Sequence, residues 1–120
     1  MRKITAKIAK AFLAGDSLKI KNTETDGQSV WLHGNEIARK TDYGLEVSLA
    51  GWPTVTTRER VNGILYAAQA GMVIVQRDHE QYACSLLSDN QYRQGRLHCL
   101  TNMGTRISPN DWLNPEHYPF

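Results

Sequence analysis

WLHGNEIAR, residues 31–39, is the stretch whose reading decides how this chain folds. It lies between two runs that alternate apolar and polar side chains. At His33-Gly34-Asn35 the chain therefore either turns back or runs on as one longer strand with a bulge. Gly34 accepts a positive φ, and a Gly-Asn pair suits a two-residue primed turn. With Gly34-Asn35 as the loop, His33 pairs with Glu36 and Leu32 with Ile37, which puts both apolar residues on one face. The triplet is read as a hairpin turn, with the bulged single strand as the alternative.

Upstream, Val30 and Leu32 share a strand face, and Asp26-Gly27 within ETDGQ marks another tight turn. Before it, residues 17–23 alternate Leu18 and Ile20 with Lys19 and Lys21, the pattern of a half-buried strand. Residues 3–14 carry a helix period: Ile4, Ile8 and Phe12 recur every four residues beside a stripe of Lys3, Lys7 and Lys10, and Gly15 is placed to end the helix. The narrow apolar stripe suits a helix laid over a sheet. Downstream, Thr41 to Gly44 form a turn, and LEVSLAG alternates as a further strand. Four short strands joined by tight turns predict an antiparallel meander.

Gly51-Trp52-Pro53 breaks that strand, because Pro53 has no amide hydrogen for the ladder. Thr56 and Glu59 then have capping-box spacing, which predicts a helix over 57–69 with Val61, Ile64, Leu65 and Ala68 on one face and Gly71 as its stop. Gly63 inside it suggests close approach of another backbone. MVIVQR and EQYACSLL predict a hairpin about Asp78-His79, and RLHCLT another strand. The turn-rich tail, residues 101–120, holds Pro109, Pro115 and Pro119, with Trp112, Leu113, Tyr118 and Phe120 available as anchors. The expectation is one α+β domain over residues 1–120: an antiparallel β meander with flanking helices.

At 120 residues the chain has the size of a single domain, and its 41% hydrophobic content supports a packed core. No apolar run approaches the roughly 20 residues of a membrane span. Lys7 and Lys10 interrupt what would be the apolar core of a signal peptide, so the expectation is a cytoplasmic protein with no membrane partner. The net charge of +2 is uneven: Arg2, Lys3, Lys7, Lys10, Lys19 and Lys21 stand against Asp16 alone in the first 21 residues. Such a basic end is either a solvated helix face or a nucleic-acid contact through Arg2, Lys3, Lys7 and Lys10.

Little in the sequence points to chemistry. His33, His79, His98 and His117 are scattered, none at a metal-ligand spacing, so no metal and no cofactor is expected. Cys84 and Cys99 form no redox motif and read as small buried hydrophobes in a reducing compartment. No phosphate-binding glycine loop or nucleophile elbow is present, and no catalytic residue is assigned. The strongest polar cluster is Thr54, Thr56, Thr57, Arg58, Arg60 and Asn62, with Trp52 beside it as a further candidate for partner binding. It sits at a helix start whose free amides and arginines suit a carboxylate, a phosphate or a protein partner. Equally, the threonines can cap the helix while the arginines pair with Glu36 or Glu46.

The spacing of Leu32, His33, Gly34, Asn35, Ile37 and Ala38, followed by Gly51, Trp52, Thr54, Thr56, Thr57, Arg58, Arg60, Val61 and Asn62, resembles small uncharacterised proteins of tailed bacteriophages. The likeness runs from about residue 12 to residue 82, through Phe12, Asn22-Thr23 and GMVIVQRDHEQY. It departs at Val61, where such proteins usually carry leucine, and it ends before the tail. The resemblance implies a setting and no catalytic residues. Phage proteins of this size often act early in infection, in the cytoplasm of the infected bacterium, by occupying the surface of a host or defence-system protein. A nucleic-acid-binding role through the basic helix and Arg58/Arg60 is the alternative.

Overall fold

The computed structural model describes residues 1–85 and 104–117, and helix α1 opens it at Lys3–Ala14. Its stripe buries Ile8, Ala9 and Phe12, and Gly15 ends it at φ 82° with its neighbour's amide bonded back to Ala11. Lys3, Lys7 and Lys10 point to solvent.

An antiparallel meander follows, in the order β1 (Leu18–Ile20), β2 (Thr23–Thr25), β3 (Ser29–Leu32), β4 (Asn35–Thr41) and β5 (Gly44–Val47). It has five strands where the sequence suggested four. Lys21 takes a positive φ of 52° and splits the expected 17–23 strand, so Thr23–Thr25 pairs back on Leu18–Ile20. The Asp26 carboxylate then accepts the amides of Gln28 and Ser29 at 2.8 Å, and these bonds hold its pKa below the ordinary carboxylate value, Ser29 contributing most. Gly27 lies so close to Gly15 that a Cβ there would stand 2.4 Å from the Gly15 carbonyl.

The decisive hairpin forms, with its loop one residue earlier than expected. His33 and Gly34 are the central residues, at φ 51° and 80°, as a type I′ turn requires. Leu32 therefore pairs with Asn35 and Trp31 with Glu36, and Leu32 and Ile37 are not partners. A bulge restores the pattern. Val30 pairs with Ala38, so Ile37 and Ala38, though consecutive, are both buried, and the Ile37 carbonyl accepts the Ser48 amide at 2.9 Å. Both devices considered from the sequence, the turn and the bulge, occur together.

Strand β5 ends at Val47, earlier than the 45–51 run suggested, because Ser48 Oγ accepts the Ala50 amide and Ala50 and Gly51 turn left-handed. Its free edge is taken by the tail: the Val47 and Leu113 backbones bond reciprocally at 2.8 and 2.9 Å. Trp112 lies under the Arg39 guanidinium, 3.8 Å from its ring centre, and Arg39 also bonds Glu46 at 2.8 Å. Glu46 is thus paired within the sheet and not with Arg58 or Arg60. Tyr118 and Phe120, expected as further anchors, lie outside the described residues.

Helix α2 runs over Val55–Ala67, two residues earlier than expected. Its N-cap is Thr54, whose hydroxyl accepts the Thr57 amide at 3.1 Å, and no Thr56–Glu59 capping box forms. Val61, Ile64 and Leu65 are buried as the period suggested, and Gln69, at φ 54°, turns the chain before Gly71. Gly63 faces a side chain and not a backbone: a Cβ there would sit 2.2 Å from Thr5 Cγ2 on α1.

The second sheet is β6 (Met72–Arg77), β7 (Glu80–Ser85) and β8 (Thr105–Ile107), with the expected hairpin at Asp78-His79, both at positive φ. Ile74 turns its amide and carbonyl away from β7 at the sheet's edge, where the Asn62 side-chain amide bonds both at 2.8 Å. Cys84 is buried as expected, but it is disulfide-bonded where a free thiol was anticipated. His98, Cys99 and the RLHCLT segment lie outside the described residues. One hydrophobic cluster runs through α1, both sheets, α2 and Leu113, so the architecture is a single α+β globule.

Candidate functional site

The two stretches that stood out in the sequence meet at one cleft. It measures about 380 Å³, and its floor is Leu32, Ile37, Leu49 and Ala50. His33 and Asn35 from the β3–β4 turn stand on one side, and Trp52, Thr54, Thr56 and Thr57 on the other. The turn places the first group, because the bulge draws Ile37 inward just beyond it. Gly51 and the N-cap place the second. Gly51 sits at φ 83° with its amide on the Pro109 carbonyl, and a Cβ there would meet Asn110 Oδ1 at 2.8 Å. The Trp52 amide returns to the Leu49 carbonyl, so the Leu49–Trp52 turn carries the indole to the rim.

The sides of the cleft mix exposed polar residues, His33, Asn35 and Thr54, with the exposed Trp52 indole. Trp52 is 58% exposed, and Val55, the first residue of α2, which does not itself line the cleft, is 66% exposed beside it. Large side chains left this accessible next to a concave apolar floor make a patch suited to contact with another molecule. Among the lining residues His33 carries the only imidazole. Its ring nitrogen lies 3.4 Å from Asn22 Nδ2.

The seven residues expected at the helix start divide into separate roles. Trp52, Thr54, Thr56 and Thr57 line the cleft, with Thr57 buried and its hydroxyl 2.8 Å from that of Thr54. Arg58 is half-buried and does not line the cleft; it is bonded to the Pro53 carbonyl and to Gln76 and Gln81. Arg60 is turned inward and only 3% exposed. Its Nε donates to Thr23 Oγ1 at 3.0 Å, and its Nη1 to Thr5 Oγ1 at 2.9 Å and Glu59 Oε1 at 2.6 Å. Thr5 donates to the same Glu59 oxygen, so α1, α2 and β2 are tied through one buried guanidinium. Asn62 is buried on β6. Arg60 and Asn62 are therefore parts of the interior and do not reach the cleft surface.

Val55, Leu49, Gln76 and Gln81 were not anticipated. The glutamines had a usable signal: a two-residue turn at Asp78-His79 sets positions 76 and 81 opposite each other. Leu49 and Ala50 had none, since the strand was expected to run past them. On α1, Arg2, Lys3, Lys7 and Lys10 are exposed, with Lys19 and Lys21 exposed nearby in sequence.

Among the described residues no group of three or more His, Cys, Asp or Glu side chains is placed to hold a metal ion. No described helix is long and apolar enough to cross a membrane. Comparison with curated proteins and with solved structures finds no match. The family model described as Kyanoviridae Gp96 protein matches residues 1–99, and the chain belongs to that family of phage proteins.

Proposed function

We propose that this phage protein is an accessory factor of early infection. It binds a host or defence-system protein in the cytoplasm of the infected bacterium and inhibits or redirects it, without catalysis or cofactor. The observation that carries this reading is the exposed Trp52 on the wall of the cleft, with exposed Val55 beside it in the chain between the lining residues Thr54 and Thr56. Tryptophan is among the residues most often dominant in protein interfaces, because it buries a large rigid surface at small entropic cost. The scaffold supports the role, since the elements behind the rim are fixed by the Arg60 network and the Gly51 turn, so little ordering is left for the moment of binding.

The experiment is capture from nuclease-treated host lysate on immobilised protein, alongside a folded Trp52→Ala, Val55→Ser variant. A stoichiometric protein retained by the wild type and lost by the variant is the expected result. Absence of such a protein overturns the reading. Retention of DNA by the untreated sample, falling by about one log unit per log of salt for each phosphate contacted, would instead favour the exposed lysine face of α1.

A further inference from the structure

Arg58 carries a charge that no carboxylate among the described residues answers. Among the described residues a single nitrogen, Nη1, makes all its hydrogen bonds: to the Pro53 carbonyl at 2.9 Å, Gln76 Oε1 at 3.1 Å and Gln81 Oε1 at 3.0 Å. All three acceptors are neutral. The ion pairs among the described residues are Arg39–Glu46 and Arg60–Glu59, so no described carboxylate pairs with Arg58. Burial draws its pKa down with no opposing cause. The glutamines are themselves fixed, Gln81 Nε2 donating to Gln76 Oε1 at 2.8 Å. The guanidinium is thus gripped at one nitrogen, while its Nε–H and Nη2 hydrogens, which form one edge of the planar fork, have no acceptor among the described residues. That edge is the one a carboxylate engages with two parallel hydrogen bonds.

We propose that Arg58 is a specificity-determining residue of the docking face. Its Nε–Nη2 edge receives an Asp or Glu side chain of the partner protein, next to an apolar partner side chain lying on Trp52 and Val55. Val55 precedes Arg58 by three residues and so neighbours it on the helix surface, and Pro53, which holds Arg58, follows Trp52 directly. The inference rests on the reading of residues 52–56 as a protein-docking surface and adds the partner's chemistry, an acidic residue beside an apolar one.

Two measurements test it. In the first, a displayed library of random twelve-residue peptides is selected against wild type, Arg58→Gln, Arg58→Lys and Trp52→Ala. Enriched sequences on the wild type are expected to carry Asp or Glu within a few positions of an aromatic or branched apolar residue. Arg58→Gln is expected to lose the acidic preference and about tenfold in affinity for those peptides while keeping the apolar one. Arg58→Lys keeps the charge without the fork and is expected to fall between. Peptides that depend on Trp52 but bind Arg58→Gln equally would overturn this proposal and leave the docking reading standing. Selection that yields nothing dependent on Trp52 would overturn both. The second measurement uses only wild-type protein, so folding of a variant is not at issue. The Arg58 Nε–Hε NMR signal is followed during titration with sodium acetate and with sodium chloride at matched ionic strength. A saturable shift with acetate beyond the chloride control, larger than at Arg2, is expected. Equal response to the two salts would overturn the proposal.

Discussion

Replacing Asn62 by alanine tests whether this residue belongs to the interior. The change removes two 2.8 Å hydrogen bonds and leaves the Ile74 amide and carbonyl buried without a partner. Each stranded buried group costs roughly 1–3 kcal/mol, so a combined loss of about 3 kcal/mol is expected after partial relaxation. With a urea dependence of about 1–3 kcal/mol/M, the unfolding midpoint followed by tryptophan fluorescence should fall by roughly 1–3 M. Asn62→Asp sharpens the test. Its carboxylate would accept the Ile74 amide but repel the Ile74 carbonyl, and burial would raise its pKa. The variant should be closest to wild type near pH 4, where the carboxyl is protonated and can donate, and lose stability as pH rises above the unfolded-state value of about 3.9. An Asn62→Ala stability within about 0.5 kcal/mol of wild type would refute the reasoning, because it would mean that water satisfies Ile74 as well as the amide does.

Other substitutions separate structural from surface roles. Gly27 and Gly34 share nearly the same backbone, φ 86° and 80°, but only at Gly27 would an added methyl group stand 2.4 Å from the Gly15 carbonyl. Gly34→Ala should therefore cost about 1 kcal/mol, the left-handed penalty alone, while Gly27→Ala should cost clearly more; equal melting shifts would remove the close-approach argument. Arg60→Leu strands the Glu59 carboxylate and should destabilise by about 3 kcal/mol, whereas Arg58→Gln, which removes a half-exposed cation with neutral partners, should change stability by less than about 1 kcal/mol. For Asp26 the folded pKa lies below the ordinary value, so its contribution is present above the unfolded-state pKa and is lost as pH falls through the folded one. Asp26→Asn should flatten that acid limb of the stability profile, measured by thermal melts between pH 2 and 6.

Much of the fold was legible because alternation and helix period report burial directly. The α1 limits, the Asp26-Gly27 turn and the Asp78-His79 hairpin follow from local residues alone. The misreadings arose where local rules allowed more than one answer. Gly34 tolerates either loop position, and only the inward demand of both Ile37 and Ala38 selects the His33-Gly34 turn with a bulge. Thr54 and Thr56 both suit an N-cap, and the Trp52-Pro53 turn chooses the first. At the site, the cleft's rim was visible as a motif, but its floor depends on a chain reversal after Val47 that no periodicity records. Arg58 and Arg60 look alike in sequence and separate only in three dimensions, since two positions on a helix differ by about 200° of rotation. The phage setting implied by the motif resemblance agrees with the family assignment.

The hydrogen-bonding rims of the sheets bear on how this protein can polymerise. In the larger sheet, Leu113 occupies the β5 side, and the opposite side is the three-residue β1 with Lys19 at its centre. In the smaller sheet, one side-chain amide occupies the middle of β6. A foreign strand therefore finds few unoccupied peptide groups on which to add, and fibril growth by lateral templating is disfavoured at these borders. Loosening residues 110–114 or trimming Asn62 would uncover them, so such variants should turn sticky before they turn fully unfolded.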